Sequence, residues 1–150
     1  MAKFDTLNDA SWVLLGKLTF SGTSTVTTSL IDMQGYDALD IAVLNATIND
    51  AGAAAGHTIK LQESDLTTAV SFTDVATTNG VNGAVTVSTT LDADDDKIAG
   101  VLGYVGGKRY VRASGTGTAL SDGIVYIVGR RSRGGTAKPV TIVGTATAAT

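Results

Sequence analysis

The sequence predicts an all-β fold, a single-domain β-sandwich or jelly roll of about eight to ten strands with extended N- and C-terminal segments. Three observations predict it. The chain is 43% hydrophobic but only 5% aromatic and 17% charged, and it holds 18 glycines. Small, β-branched, uncharged residues suit thin layers of sheet. Apolar residues alternate with a period of two, and turn residues interrupt them about every ten positions. No segment carries a helical stripe of three turns, although residues 6–14 admit a short helix.

The elements follow in order. Residues 1–10 are polar and aperiodic and read as an N-terminal arm. Residues 12–20, WVLLGKLTF, are the first apolar segment, and the Thr-rich stretch 23–31 suits a strand more than a helix. In 36–48, Leu39, Ile41 and Val43 share one face, and Ala38, Asp40 and Ala42 the other. Residues 58–64, TIKLQES, put Ile59 and Leu61 inward and Lys60 and Gln62 outward. A short strand is expected around Phe72, with turn signals at Asn79-Gly80 and Asn82-Gly83. Further strands are expected over 84–91, 98–105 and 108–115, the last two as a hairpin turning at Gly106-Gly107. Residues 123–129, GIVYIVG, are apolar on both faces, as a central strand should be. The sandwich domain therefore runs over 11–130, and 131–150 is a basic linker and extended segment containing the sole proline, Pro139.

Composition excludes several kinds of chemistry. The 150 residues suffice for one domain, and the lack of cysteine removes disulfides, thiolate nucleophiles and Cys-type zinc sites. No apolar run reaches the roughly 18 residues that span a bilayer, and the opening residues carry Asp5 and Asp9 where a secretory signal needs an apolar stretch. His57 is the sole histidine and reads as an exposed loop residue; Glu63 is the sole glutamate. Neither a GxSxG elbow nor a marked pair of carboxylates accompanies them, so no enzyme is expected. Asp92, Asp94, Asp95 and Asp96 are the densest charge cluster, but position six of a calcium loop would be Lys97 and position twelve Gly103, so a solvated turn is expected. No cofactor or metal site emerges.

Charge is unevenly placed. Residues 1–107 hold four basic and thirteen acidic side chains, net −9; residues 108–150 hold seven basic and one acidic, net +6. The stretch 104–117, YVGGKRYVRASGTG, opens this basic part. A phosphate loop would need GxxxxGK[ST] opening a helix, whereas Gly107-Lys108 is followed by Arg109 in strand context. Strand alternation puts Arg109, Val111 and Ala113 inward and makes Lys108, Tyr110 and Arg112 an outward basic-aromatic stripe. Such a stripe serves solvation, nucleic-acid binding or a protein interface. The acidic body repels a phosphate backbone, so no nucleic-acid partner is expected. Arg130, Arg131, Arg133 and Lys138 form a second basic cluster suited to pinning an extended tail on an acidic neighbour.

Two blocks, IKLQESDLTTAVSFTDV at 59–75 and YVGGKRYVRASGTGTALSDGIVYIVGRRSR at 104–133, cover about a third of the chain. They resemble small virion proteins encoded in the head-gene clusters of tailed bacteriophages. The resemblance implies a head decoration, or cement, protein of small jelly-roll type. Such proteins sit on the capsid exterior, often as homotrimers, and clamp neighbouring major capsid subunits through terminal arms. The interface residues expected here are Lys108, Tyr110, Arg112, Arg130, Arg131, Arg133 and Lys138, with no membrane partner. A head-fibre base, a tail protein and a carbohydrate-binding sandwich are the alternatives.

Overall fold

The computed structural model describes residues 10–48, 56–81, 96–118 and 122–132, together with the backbone of 86–89. Ten strands form: β1 (Ala10–Ser21), β2 (Thr25–Thr27), β3 (Ile31–Asp32), β4 (Ala38–Ile48), β5 (His57–Ser64), β6 (Thr73–Asp74), β7 (Thr86–Thr89), β8 (Ile98–Tyr104), β9 (Tyr110–Gly117) and β10 (Asp122–Ser132). Among the described residues there is no α-helix, only short 3-10 turns at Ala69–Ser71 and Thr77–Asn79. None could cross a membrane as a helix. The helix admitted near 6–14 is not formed where described, because residues 10–14 pair with β10 as strand.

One sheet runs β1-β10-β4-β8. In the other, β9 and β5 are central; β2 and β3 share the outer edge of β9, while β6 and β7 share that of β5. Every pairing is antiparallel. Counting β2 with β3 and β6 with β7 as one strand each gives eight, ordered 1-8-3-6 and 2-7-4-5. The chain is thus a long antiparallel ribbon, first strand with last, folded over into two layers. This is the jelly roll that the sequence predicts.

That topology corrects one expectation. Residues 98–104 and 110–117 are both strands, but they are not a hairpin. β8 pairs with β4 in one sheet, and β9 pairs with β5 in the other. Consecutive strands of a jelly roll mostly alternate between layers, so Gly106 and Gly107 lie in an inter-sheet crossover. The central-strand reading of 123–129 holds, since β10 lies between β1 and β4.

The core lies between the layers. Leu18, Phe20, Leu39, Ile41, Val43, Val125 and Ile127 face Ile59, Leu61, Val111 and Ala113, all buried. Each such side chain contributes roughly 1.5–3 kcal/mol of burial free energy. Phe72 and Val75 close one side of the core, and Phe72 follows a 3-10 turn rather than sitting inside a strand. In β1 a register shift between Leu14 and Gly16 lets Leu15 and Leu18 both point inward. Gly16 adopts φ +132°, which an L side chain rarely takes.

His57 is also corrected. It is 1% exposed and its ring lies 4.1 Å from that of Phe20. As the first residue of β5 it points into the core, because β5 alternates His57, Ile59, Leu61, Glu63 inward. The Asp92–Asp95 part of the acidic turn, Asn82-Gly83 and the segment 133–150 lie outside the described residues.

Phe20 packs so closely on β9 that a Cβ on Gly115 would lie 2.5 Å from its ring. Gly115→Ala is therefore expected to destabilise the fold by about 1–3 kcal/mol in urea unfolding. Unchanged stability would show that the layers are less closely packed than described.

Candidate functional site

The chain's polar chemistry gathers at one end of the sandwich. There β5 ends, β8 ends, β9 begins, and β10 reaches Ser132. Three connections meet at this end: residues 33–37 between β3 and β4, residues 65–68 after β5, and the crossover 105–109.

A hydrogen-bonded tie organises them. Tyr104, from one sheet, donates its hydroxyl to Glu63 Oε2, from the other, at 2.7 Å. Asn79 Nδ2 donates to Glu63 Oε1 at 3.3 Å. The Lys108 backbone N–H donates to the same tyrosine oxygen at 2.9 Å, fixing the crossover. Burial, with Glu63 beside it, pushes the Tyr104 hydroxyl well above its ordinary pKa, so it remains a donor. Gly106 fits only as glycine: a Cβ there would lie 2.6 Å from the Tyr104 ring.

The fixed crossover then places two cations. Lys108 Nζ pairs with Asp65 Oδ2 at 2.5 Å, and the Arg109 N–H donates to Asp65 Oδ1 at 3.3 Å. Arg109 also forks onto Asp32, Nη2 to Oδ2 at 3.0 Å and Nε to Oδ1 at 3.3 Å. Arg109 thus points outward to Asp32, not inward as strand alternation suggests, because the strand starts only at Tyr110. The hydrogen bonds from Lys108 and Arg109 hold Asp65 and Asp32 below the ordinary carboxylate pKa. Met33, Tyr36, Val105 and Gly107 line an open cleft of about 550 Å³ between these pairs.

The residues of the expected stripe are in place but engaged within the chain. Tyr110 is half-buried, with the Arg109 guanidinium 5.1 Å from its ring centre. Arg112 lies 4.2 Å over Phe72 and donates to Gln62 Oε1 at 2.9 Å and to the Ala69 carbonyl at 3.3 Å. Burial lowers its pKa. Gln62 and Lys60 in turn donate to Asp74, at 2.9 and 2.6 Å. Those hydrogen bonds, Lys60 foremost, lower the Asp74 pKa. The stripe is therefore a locked polar surface of the β5-β9 sheet.

Arg131 and Arg130 fall on different faces. Arg131 stacks 4.3 Å over Tyr36 and donates to the Asp32 carbonyl at 2.6 Å and to Ser11 Oγ at 3.2 Å. It thereby joins Arg109 at the end of the sandwich. Arg130 lies on the outer face of the other sheet, Nε 3.7 Å from Asp40 Oδ2. Burial raises the Asp40 pKa, and Arg130 partly opposes this. Arg133 and Lys138 lie outside the described residues.

The described residues contain no group of three or more His, Cys, Asp or Glu that could hold a metal. His57 and Glu63 stand at opposite ends of β5 and do not form one site. The functional arrangement missed by the sequence is the set Asp32, Asp65 and Arg109. Its one signal was the paired placement of Gly106-Gly107 before two cations, and that signal equally fits a hairpin.

No protein-family model matches the chain, and no curated protein is significantly similar to it. A solved structure shares the fold. PBSX exported protein XepA superposes with a TM-score of 0.56 at 12% identity, over 93% of this chain and 43% of that one. The chain thus spans less than half the length of XepA. SPBc2 prophage-derived protein YomS gives a TM-score of 0.41 at 12% identity, over 81% of this chain and 93% of that one. The xylan-binding module CBM15 gives 0.31 at 17% identity, over 86% and 94%.

Two outcomes follow from this geometry. Tyr104→Phe leaves the buried Glu63 carboxyl short of a donor and the Lys108 N–H short of an acceptor. It is expected to cost about 1–3 kcal/mol in denaturant unfolding; an unchanged midpoint would show the tie to be dispensable. Asp32, Asp65 and Asp74 have folded-state pKa values below the ordinary 3.8. The stability they add is complete above that value and is lost as pH falls through the folded-state values. Asp40, shifted upward, works in the opposite direction and offsets part of the loss. The melting temperature should fall modestly below about pH 4, and less so in high salt, since these pairs are exposed. A melting temperature that rises on acidification would overturn the assignment.

Proposed function

We propose that this is a non-enzymatic structural virion protein that binds the outer surface of a phage capsid and clamps neighbouring major capsid subunits. The observation that carries this reading is the convergence at one end of the jelly roll. Ala10 pairs with Ser132, which brings the N-terminal arm, 1–10, and the basic C-terminal segment, 131–150, side by side where they meet the domain. They do so next to the cleft, the Asp65–Lys108 pair and the Arg109–Asp32–Arg131 cluster. A rigid body with two adjacent arms suits attachment across a seam between subunits. The basic residues Arg133 and Lys138 then meet acidic groups of the capsid.

The resemblance of residues 59–75 and 104–133 to phage head proteins supports the reading. So does the fold shared with XepA, a phage-derived protein. Self-association would multiply weak seam contacts through effective concentration. The resemblance implies three copies. Attachment is coupled to the assembled lattice, because ordering an arm costs entropy that only a completed seam repays.

Purified chain added to expanded heads that lack a decoration layer is expected to co-sediment with them and raise their disruption temperature. Truncation after Ser132 is expected to weaken that binding at least about tenfold. Absence of co-sedimentation would sink the proposal, and full binding by the truncated chain would remove the arm from it.

A further inference from the structure

The outer face of the β1-β10-β4-β8 sheet carries apolar side chains on all four strands. Register places its side chains in rows. Trp12, Arg130, Asp40 and Gly103 form the first; Leu14, Val128, Ala42 and Val101 the second; Lys17, Tyr126, Leu44 and Ile98 the third. Trp12 is 67% exposed, Leu14 70%, Ile98 56% and Tyr126 43%. Antiparallel sheets with a solvated face carry polar residues there. A chain that puts tryptophan and leucine outward on an edge strand has an unmet contact.

The rows also identify what meets them. Consider a second copy placed face to face, related by a two-fold axis parallel to the strands and lying between β10 and β4. Each row then lies over its own reverse. Arg130 comes over Asp40 of the second copy, and Asp40 over its Arg130. Val128 meets the small Ala42, and Leu14 meets Val101. Trp12 meets the corner at Gly103, where a side chain is absent and Val81 fills the space a Cβ would take. Opposite charges are apposed twice over in the first row and unlike sizes in the second, while the third sets Tyr126 over Leu44 and Lys17 over Ile98. A differently built partner would have to match both patterns independently; a second copy matches them by symmetry.

We propose that two copies of this chain pair through these faces into a two-fold dimer. Four strands by about seven residues give a face of roughly 20 Å by 25 Å, so pairing removes about 1,000 Å² in total. That is the lower bound of a specific interface, so pairing is expected to be weak and concentration-dependent. The occupant is not a glycan: Leu14, Val128 and Ala42 separate Trp12 from Tyr126, and none offers a side-chain hydrogen bond to a sugar. The pairing is a property of the free chain and requires no capsid.

Sedimentation velocity of the full chain from about 5 to 300 μM tests this. A dimer growing with concentration is expected, accompanied by a blue shift of the sole tryptophan's emission as Trp12 is buried. Leu14→Lys is expected to weaken pairing at least about tenfold, while its melting temperature stays near the parent's because Leu14 is exposed. The chain has no cysteine, so register can be read directly. A short bismaleimide should join an Arg130→Cys chain to an Asp40→Cys chain faster than either chain to itself. A monomer at every concentration, a trimer mass, undiminished pairing by the Leu14→Lys variant, or preferential linking of like variants would each overturn the proposal. Retention of a monomer on xylan would overturn it in favour of the glycan reading. Head co-sedimentation of the Leu14→Lys variant is scored separately: its retention leaves the capsid role standing whatever the fate of the dimer.

Discussion

The Tyr104–Glu63 hydrogen bond is the constraint on which the functional end of this protein depends. It links the two layers by a directional bond at the edge of the apolar core. Its geometry also reaches beyond the pair. The tyrosine oxygen holds the Lys108 backbone, the crossover then presents Lys108 and Arg109, and these capture Asp65 from the connection after β5 and Asp32 from the end of β3. Sequence-distant segments are thereby ordered by one buried phenol. The exposed ion pairs add little energy by themselves, but they are pre-positioned, so holding them costs little further entropy.

The two sheets divide the surface into regions of opposite character. On the β5-β9 sheet, Arg112, Gln62, Lys60 and Asp74 form a continuous polar lattice whose members satisfy one another. Charges engaged in this way favour solvent. The β1-β10-β4-β8 sheet instead offers tryptophan, leucine and tyrosine, with the Arg130–Asp40 pair and Lys17 among them. Apolar side chains are concentrated on the second face, and charged groups converge at the end of the sandwich. Fold alone does not assign a function; this division of surface chemistry gives the jelly roll a direction.

Much of the architecture was legible because β-sheets impose a period of two. Leu39, Ile41 and Val43, Ile59 and Leu61, and Val111 and Ala113 all fall on the core side as alternation requires. What was not legible is pairing. Nothing local says that residues 10–21 lie beside 122–132, since that adjacency belongs to the folded ribbon. The same gap turned the crossover at Gly106-Gly107 into an expected hairpin and aimed Arg109 inward. His57 was misread for a different reason: its small, glycine-rich neighbours signal a loop, while the strand beginning at that residue points it into Phe20. The tie between Glu63 and Tyr104 joins residues 41 positions apart, and no spacing rule anticipates it.

Ala10 and Ser132 face each other as the first pair of an antiparallel ladder. That adjacency gives the domain a mechanical axis. A pull through the segments preceding Ala10 and following Ser132 acts at the mouth of the β1-β10 ribbon and opens it like a zipper, one pair at a time. A load spread across the sheet faces or along the strands meets the whole ladder together, in shear. A body anchored by its face and tethered by its ends would thus be stiff against a swelling surface beneath it. It would yield first where its own two ends part.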